Sequence, residues 1–410
     1  MSGAPETIAG ADGNHLDSPY STSSFAGPRD PLIEGPRNVS TRRIFVAATR
    51  QNQGKTTTSL GLFGAMQAFS TRVGYIKPIG QRFVDVEGQS IDEDSVLLDA
   101  VYNLDVPIGA ISPVAIHPNM TRWYLENPGR KLRHLVDLIS RAFDRAAFEK
   151  DYIIIEGSGH AGVGAVFDLS NAAIARILGA KAIIVSGGGI GSPVDEIAMN
   201  KAFFDQYGVE VIGAVLNKVL PEKIELVREY AGRALARMGI PLLGVLPLHK
   251  RLEAPSLGQV VSEIKGRWLN GEKTGQRERV LRVVIGTMTA KGVVDYLQPG
   301  VLLIVAGDRE DILFAAIASA GIYQRPNISG ILLTRNLLPH PKVMEFLQKT
   351  EIPTIICSEE SSTVASRIHS MMVKTQPADA DKIPIIQELV AGHTDLKTIR
   401  NAFAPPPLRG

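Results

Sequence analysis

Six short runs of this chain are apolar along nearly their whole length: RRIFVAAT (42–49), VGYIKPIG (73–80), YIIIEG (152–157), KAIIVSG (181–187), EVIGAVLNKV (210–219) and PLLGVLPL (241–248). A strand with one face in water alternates apolar and polar residues, so runs without alternation must be buried on both faces. Helix-length segments separate them, among them SLGLFGAMQAFS (59–70), KLRHLVDLISRAFDRAAFE (131–149) and the stretch around 224 to 239. Buried strands joined by helices specify an α/β fold, here a doubly wound, mostly parallel sheet over residues 42–250. A second alternation, LRVVIGTM, VLLIVAG, ISGILLT and IPTIICS, predicts a smaller α/β domain over 283–398. The more charged segment 251–282, with its NGEKTGQRER loop, reads as a connector holding one short helix.

The ends differ from the middle. Residues 1–41 are rich in Gly, Pro and Ser, show no periodicity and predict a disordered tail, and residues 399–410 predict a flexible C-terminus. The tail has neither the apolar core of a secretory signal nor the arginine-rich, acid-poor face of a transit peptide. A formal charge of +2 gives no electrostatic case for nucleic acid or an anionic membrane. No apolar run reaches the ~20 residues that span a bilayer. The single Cys357 excludes a disulfide framework and a cysteine metal cluster, and it suits a reducing, cytoplasmic compartment.

Between the first run and its helix stands ATRQNQGKTT (48–57). Gly54, Lys55 and Thr56 complete the second half of a phosphate-binding loop, G-x-x-x-x-G-K-[ST], while Thr49 occupies the position of its first glycine. Such a loop surrounds phosphate oxygens with backbone N–H groups at a helix N-terminus. Gly54 permits close approach, Lys55 reaches the outer phosphates and the Thr56 hydroxyl is a Mg²⁺ ligand. A strand running into the loop and an apolar helix leaving it favour this reading over a chance GKT. Glu156 and Asp94 are expected at or beside the C-terminal ends of parallel strands, where such sheets bind ligands. With Thr56 they form an oxygen-rich set suited to Mg²⁺. Asp94 also fits a helix N-cap, because D-E-D-S precedes VLLDAV. Lys77 either neutralises a transferring phosphoryl group or extends its head to solvent.

The same residues resemble the dethiobiotin synthetase family and its cobyrinate-amidase relatives, whose loop carries Thr at the substituted position. K-P-I-G (77–80), D-E-D-S-V-L-L (92–98), I-I-E-G-S-G (154–159) and V-L-N-K (215–218) continue the likeness in order. The resemblance implies ATP and Mg²⁺ as cofactors. It implies Thr49, Asn52, Gln53, Gly54, Lys55, Thr56 and Thr57 around the nucleotide, with Asn217 toward the adenine. Lys55, Lys77 and Glu156 would serve catalysis, and Thr56, Asp94 and Glu156 the metal. It also implies a homodimer through the 42–250 domain, for which the apolar stretch 166–176 offers surface. The chain departs at Gly80-Gln81-Arg82, at Asn52 in place of an acidic residue, and at the loop beginning with His160. Diaminopelargonic acid is therefore not the expected substrate. His160 is either a ligand contact or an exposed loop residue.

EGSGHAGVGAVFDLSN (156–171) and SGGGIGSPVDE (186–196) further resemble the N-terminal region of long bacterial phosphate acetyltransferases, in which a DRTGG domain follows. Residues 284–288, 299–309 and 328–334 resemble that domain, which implies an unknown small-molecule ligand. Asp308-Arg309 is present, as a ligand contact or as a helix-start ion pair. The later T-G-G reads Thr334-Arg335-Asn336, losing two flexible positions. The resemblance stops near residue 395, so acetyl transfer by this chain alone is not expected. A regulatory or accessory ATP–Mg²⁺ protein is the leading expectation. An ATP-dependent ligase that phosphorylates a carboxylate or carbamate is the alternative.

Overall fold

The computed structural model describes residues 34–323 and 328–404. The six apolar runs form β1 (Arg42–Ala48), β2 (Val73–Ile76), β3 (Tyr152–Glu156), β4 (Lys181–Ser186), β5 (Val211–Val219) and β6 (Leu242–Pro247). They make one sheet in the order β6-β5-β4-β1-β3-β2, and every pairing is parallel. Residues 44–48 and 153–155 are wholly buried, as their unbroken apolar sequence requires. The covering helices include α1 (Lys55–Gln67), α2 (Glu93–Tyr102), α3 (Pro128–Ala146), α4 (Gly191–Gln206) and α5 (Ile224–Ala236). No helix among the described residues is long and apolar enough to cross a membrane.

The second sheet contains β7 (Arg267–Asn270), β8 (Arg282–Ile285), β9 (Val301–Ala306), β10 (Gly330–Thr334) and β11 (Thr354–Ile356). Its order is β7-β11-β10-β9-β8, parallel except where β7 runs antiparallel to β11. Strand β7 falls inside the segment expected to be a connector. Its RWLN sequence is half-exposed at a sheet edge, so it lacks the apolar signature of the other strands. Asn270 fixes it, donating to the carbonyls of Leu347, Thr350 and Ile352 at 3.0, 2.9 and 3.2 Å.

Both chain ends are more ordered than the sequence implies where they are described. Residues 1–33 lie outside the described residues, but 34–41 are tied down: Asp144 accepts from Arg37 N and Asn38 N at 3.0 and 2.8 Å. At the other end, Ile399 is buried in the first core and Phe403 sits edge-on to Tyr152.

The larger difference concerns the segment after the second sheet. Helix α6 (Ser361–Ser370) packs on that sheet, but α7 (Lys382–His393) returns to the first domain. Ile386, Leu389 and Val390 share one core with β1 and α1. Gly61 and Gly64 of α1 permit the close approach: a Cβ at Gly61 would overlap Val390, and one at Gly64 would crowd Tyr102 and Gln387. Helix α1 is thus apolar all round because it is covered on two sides. Where the chain crosses between domains, buried Arg279 binds Asp379 and Asp381 at 2.7 and 2.6 Å, and Arg251 also pairs with Asp381. Beside them the ammonium of Lys382, wholly buried, donates to the carbonyls of Leu252 and Ala254.

Candidate functional site

The C-terminal ends of β1, β2, β3, β5 and β6 border one cavity, the position at which open parallel sheets bind ligands. β1 ends in the loop 49–54, and α1 begins at Lys55 immediately after it. Gly54 caps α1 in the left-handed region, with φ 92°, and a Cβ there would collide with the Asn217 amide. Asn52, at φ 63°, takes the same conformation without being glycine. Asn217, near the end of β5, donates to the Gln53 carbonyl at 3.0 Å and accepts from Lys218 N. It therefore holds the loop in shape.

Side chains of the loop divide into two sets. Asn52, Gly54, Lys55, Thr56 and Thr57 line a cavity of about 590 Å³. Thr49 is buried against the neighbouring strand, its hydroxyl 2.9 Å from that of Ser186, and the Gln53 side chain lies against Gly187. A threonine at 49 thus ties β1 to β4, a role that glycine could not fill. Lys55 makes no side-chain hydrogen bond or ion pair among the described residues. Burial pulls its ammonium below the ordinary lysine value, against the attraction of Glu156, while Lys77 pushes it lower still.

Behind the loop lies a charged cluster. Lys77, directly after β2, is enclosed by three carboxylates: its ammonium is 2.9 Å from Asp92 and 3.7 Å from Glu156, and bonds to Asp94. Burial works against this charge, but Asp94, Glu156 and Asp92 outweigh it and hold Lys77 above its ordinary value. Asp94 is buried too, yet Lys77 and then Lys374 keep its carboxyl below the usual range. Glu156 is wholly buried at the end of β3, and that burial raises its carboxyl despite Lys77. It accepts from Thr56 Oγ1 at 2.9 Å and from the Tyr75 hydroxyl.

The helix-cap alternative for Asp94 is resolved by a neighbour. Asp92 caps α2, accepting from Asp94 N at 2.9 Å, which leaves the Asp94 side chain for Lys77. Asp92 was missed as a site residue because the short hairpin that delivers it, Phe83–Val86 against Gln89–Asp92, carries little apolar signal. Gln81 and Arg82 line the cavity, as does Ser158. His160 does not: it is exposed, and its Nδ1 accepts from Gly162 N within its own loop.

Among the described residues, no group of three or more His, Cys, Asp or Glu side chains is arranged to hold a metal ion, because the three carboxylates surround Lys77. The donor chemistry still fits Mg²⁺, which takes hard oxygen ligands and keeps several waters. Thr56 and Asp94 open on the cavity, and Glu156 supports Thr56 from behind.

In the second domain Arg309 pairs with Asp311 at 2.9 Å, and donates to the carbonyls of Gly286 and Met288. Its ion pair is thus made with Asp311 and not with the adjacent Asp308. The turn at Arg335 and Asn336 keeps a glycine-type backbone, at φ 59° and 53°, although neither residue is glycine.

An AAA domain family model matches residues 42–256, just over half of the chain, and a DRTGG domain model matches residues 259–371. Phosphate acetyltransferase of Pseudomonas aeruginosa is 28% identical over 383 residues, covering 88% of this chain and 52% of that protein. The Nitrosomonas europaea phosphate acetyltransferase is 26% identical over 360 residues, covering 85% and 50%. The chain spans about half the length of the curated relatives it matches. Among solved structures, MinD of Pyrococcus horikoshii, complexed with Mg-ADP, is 19% identical with a TM-score of 0.32, covering 52% of this chain and 83% of that one. The chain belongs to the AAA domain family, as a P-loop NTPase-like domain followed by a DRTGG domain, and corresponds to the N-terminal region of phosphate acetyltransferases.

Proposed function

We propose that this chain binds ATP with Mg²⁺ in the P-loop domain and serves as a regulatory or accessory protein of the phosphate acetyltransferase type, with the DRTGG domain taking a small ligand. The observation that carries this reading is Lys55, which lines the 590 Å³ cavity without an ion-pair partner among the described residues. Small-ligand pockets commonly measure about 300–1,000 Å³. Pro247, Leu248, Leu252 and Leu389 supply an apolar part suited to a flat base, and the loop supplies backbone donors for phosphates. Adenine as the base rests on the resemblance at Asn217. Mg²⁺ would supply neutralisation of phosphate charge. Thr56 would face the ion, Glu156 would orient the Thr56 hydroxyl, and Lys77 would keep Asp94 ionised. Calorimetric titration of the full chain with ATP–Mg²⁺ tests the proposal, and no affinity at millimolar concentration would end it.

Glu156→Gln keeps the shape of the side chain and removes its charge. The Thr56 hydrogen bond survives, while Lys77 loses one of its three counter-charges. ATP affinity is expected to lose about tenfold of its Mg²⁺ dependence, with the circular dichroism unchanged. An unaltered Mg²⁺ dependence would make Glu156 a purely structural residue.

Gln81, Arg82 and Ser158 share the cavity with Lys77, and this favours the ligase reading as an alternative, with an organic acid beside the phosphates. Phosphate release across a panel of carboxylates distinguishes the two. A cytoplasmic setting agrees with Cys357, which is buried and unpaired. The homodimer through the P-loop domain rests on resemblance. The 166–176 stretch gives it no support, since Phe167, Leu169 and Ala172 pack in the chain's own core. Sedimentation equilibrium at micromolar concentration should show a dimer, and a monomer there would refute it.

A further inference from the structure

One wall of the cavity comes from outside the P-loop domain. The segment 371–375 leaves α6 of the second domain, and Met371, Met372, Val373, Lys374 and Thr375 all line the cavity. Gln259 Nε2 fixes the segment by donating to the Lys374 carbonyl at 3.2 Å, and Asn52 of the phosphate loop donates to the Met372 sulfur.

The Lys374 ammonium is loosely held. It stands 3.4 Å from Glu93 Oε2 and 3.7 Å from Asp94 Oδ1. A settled charge-assisted hydrogen bond measures roughly 2.7–2.9 Å. Asp94 is already bonded to Lys77, so it offers Lys374 only part of its charge. The three lysines therefore differ in availability. Lys77 is saturated by carboxylates, Lys55 has no side-chain partner among the described residues, and Lys374 has weak ones. Lys55 and Lys374 line the same cavity, and the charge of Lys374 is felt at Lys55 as repulsion. Two cations held near each other without adequate counter-charge are relieved by a polyanion placed between them.

We propose that Lys374 is a phosphate-binding residue of the nucleotide site, supplied by the segment that leaves the DRTGG domain, so that both domains complete the site. This rests on the ATP reading above. The segment is continuous with α6, so a ligand that shifts the second domain moves a phosphate contact of the first. By linkage, bound nucleotide holds that segment in place to the same degree. Binding in the P-loop and in the DRTGG domain is thereby coupled through one side chain.

Calorimetric titration of the full chain with ATP–Mg²⁺ tests this in the wild type, Lys374→Ala, Lys374→Arg and Glu93→Gln. A charge-assisted contact to phosphate predicts about a tenfold or greater loss for Lys374→Ala and a loss within roughly threefold for Lys374→Arg. Glu93→Gln should bind as the wild type does or more tightly, because it releases Lys374. Wild-type affinity in Lys374→Ala, or a loss in Glu93→Gln as large as that in Lys374→Ala, overturns the proposal and leaves ATP binding standing. A wild type that does not bind ATP overturns the functional reading itself, and this inference with it. Tryptic cleavage after Lys374 gives a second readout should the alanine variant fail to fold. ATP is expected to slow that cleavage severalfold in the wild type, and an unchanged rate overturns the proposal.

Discussion

Lys55→Ala is expected to weaken ATP–Mg²⁺ binding by roughly 10- to 150-fold while leaving the fold unchanged. Lys55 stands at the first position of α1 beside a left-handed glycine, and its ammonium has no ion-pair partner among the described residues. A charge-assisted hydrogen bond to phosphate contributes about 1.5–3 kcal/mol, which is roughly 10- to 150-fold in affinity. Stability should change little, within about 0.5 kcal/mol, because no buried counter-charge is left unpaired. Burial opposes the Lys55 charge, Glu156 and Asp94 attract it, and Lys77 and Lys374 repel it. Titration of wild type and variant, alongside their thermal midpoints, separates the two effects. A variant that binds ATP as the wild type does would remove Lys55 from the site.

The main sheet could be read from sequence because its strands are buried on both faces and their composition shows it. The phosphate loop could be read because its chemistry is local: glycine, lysine and threonine are consecutive, and the strand and helix flank them directly. Lys77 and Glu156 were found because each ends or follows an apolar run, which in a parallel sheet places it at the ligand crevice. Their partnership was not legible. Lys77, Asp92, Asp94 and Glu156 meet through a small hairpin with mixed polarity and through strand β3, and no spacing along the chain records that meeting. Thr49 shows the opposite limit. Its place in the motif is local, but its partner Ser186 ends another strand, so its hydroxyl turned toward the sheet and away from the cavity.

Edge strand β7 and helix α7 were misplaced for different reasons. RWLN lacks a burial pattern because an edge strand is half-exposed. KIPIIQELVAGH has the pattern of a buried helix, but periodicity says only that a face is covered and not by what. A signal did exist on the partner. The two glycines in GLFG of α1 make room for another helix, and a phosphate-loop helix that is apolar all round needs a cover on its outer side.

That cover makes the second large effect. A chain ending at residue 255 keeps the whole main sheet and the phosphate loop, and the family resemblance predicts from it a soluble, ATP-binding dimer. The structure predicts failure. Truncation removes Ile386, Leu389, Val390 and Ile399, each nearly fully buried in the first core. Burial of such a side chain contributes about 1.5–3 kcal/mol, so the four together contribute about 6–12 kcal/mol. Whole domains are stable by about 5–15 kcal/mol, so the fragment should be insoluble or largely unfolded. It would also expose the Gly61 face of α1, directly behind the phosphate loop. A second chain distinguishes loss of this helix from loss of the DRTGG domain as such: residues 34–256 joined by a flexible linker to residues 377–404. This joined form is expected to be soluble and to unfold cooperatively in denaturant, with a midpoint well above that of the 255 truncation. It should also bind ATP more weakly than the full chain, because Lys374 is absent. A soluble, cooperatively unfolding 255 truncation would show that α7 contributes little, and that the P-loop domain closes its core without it.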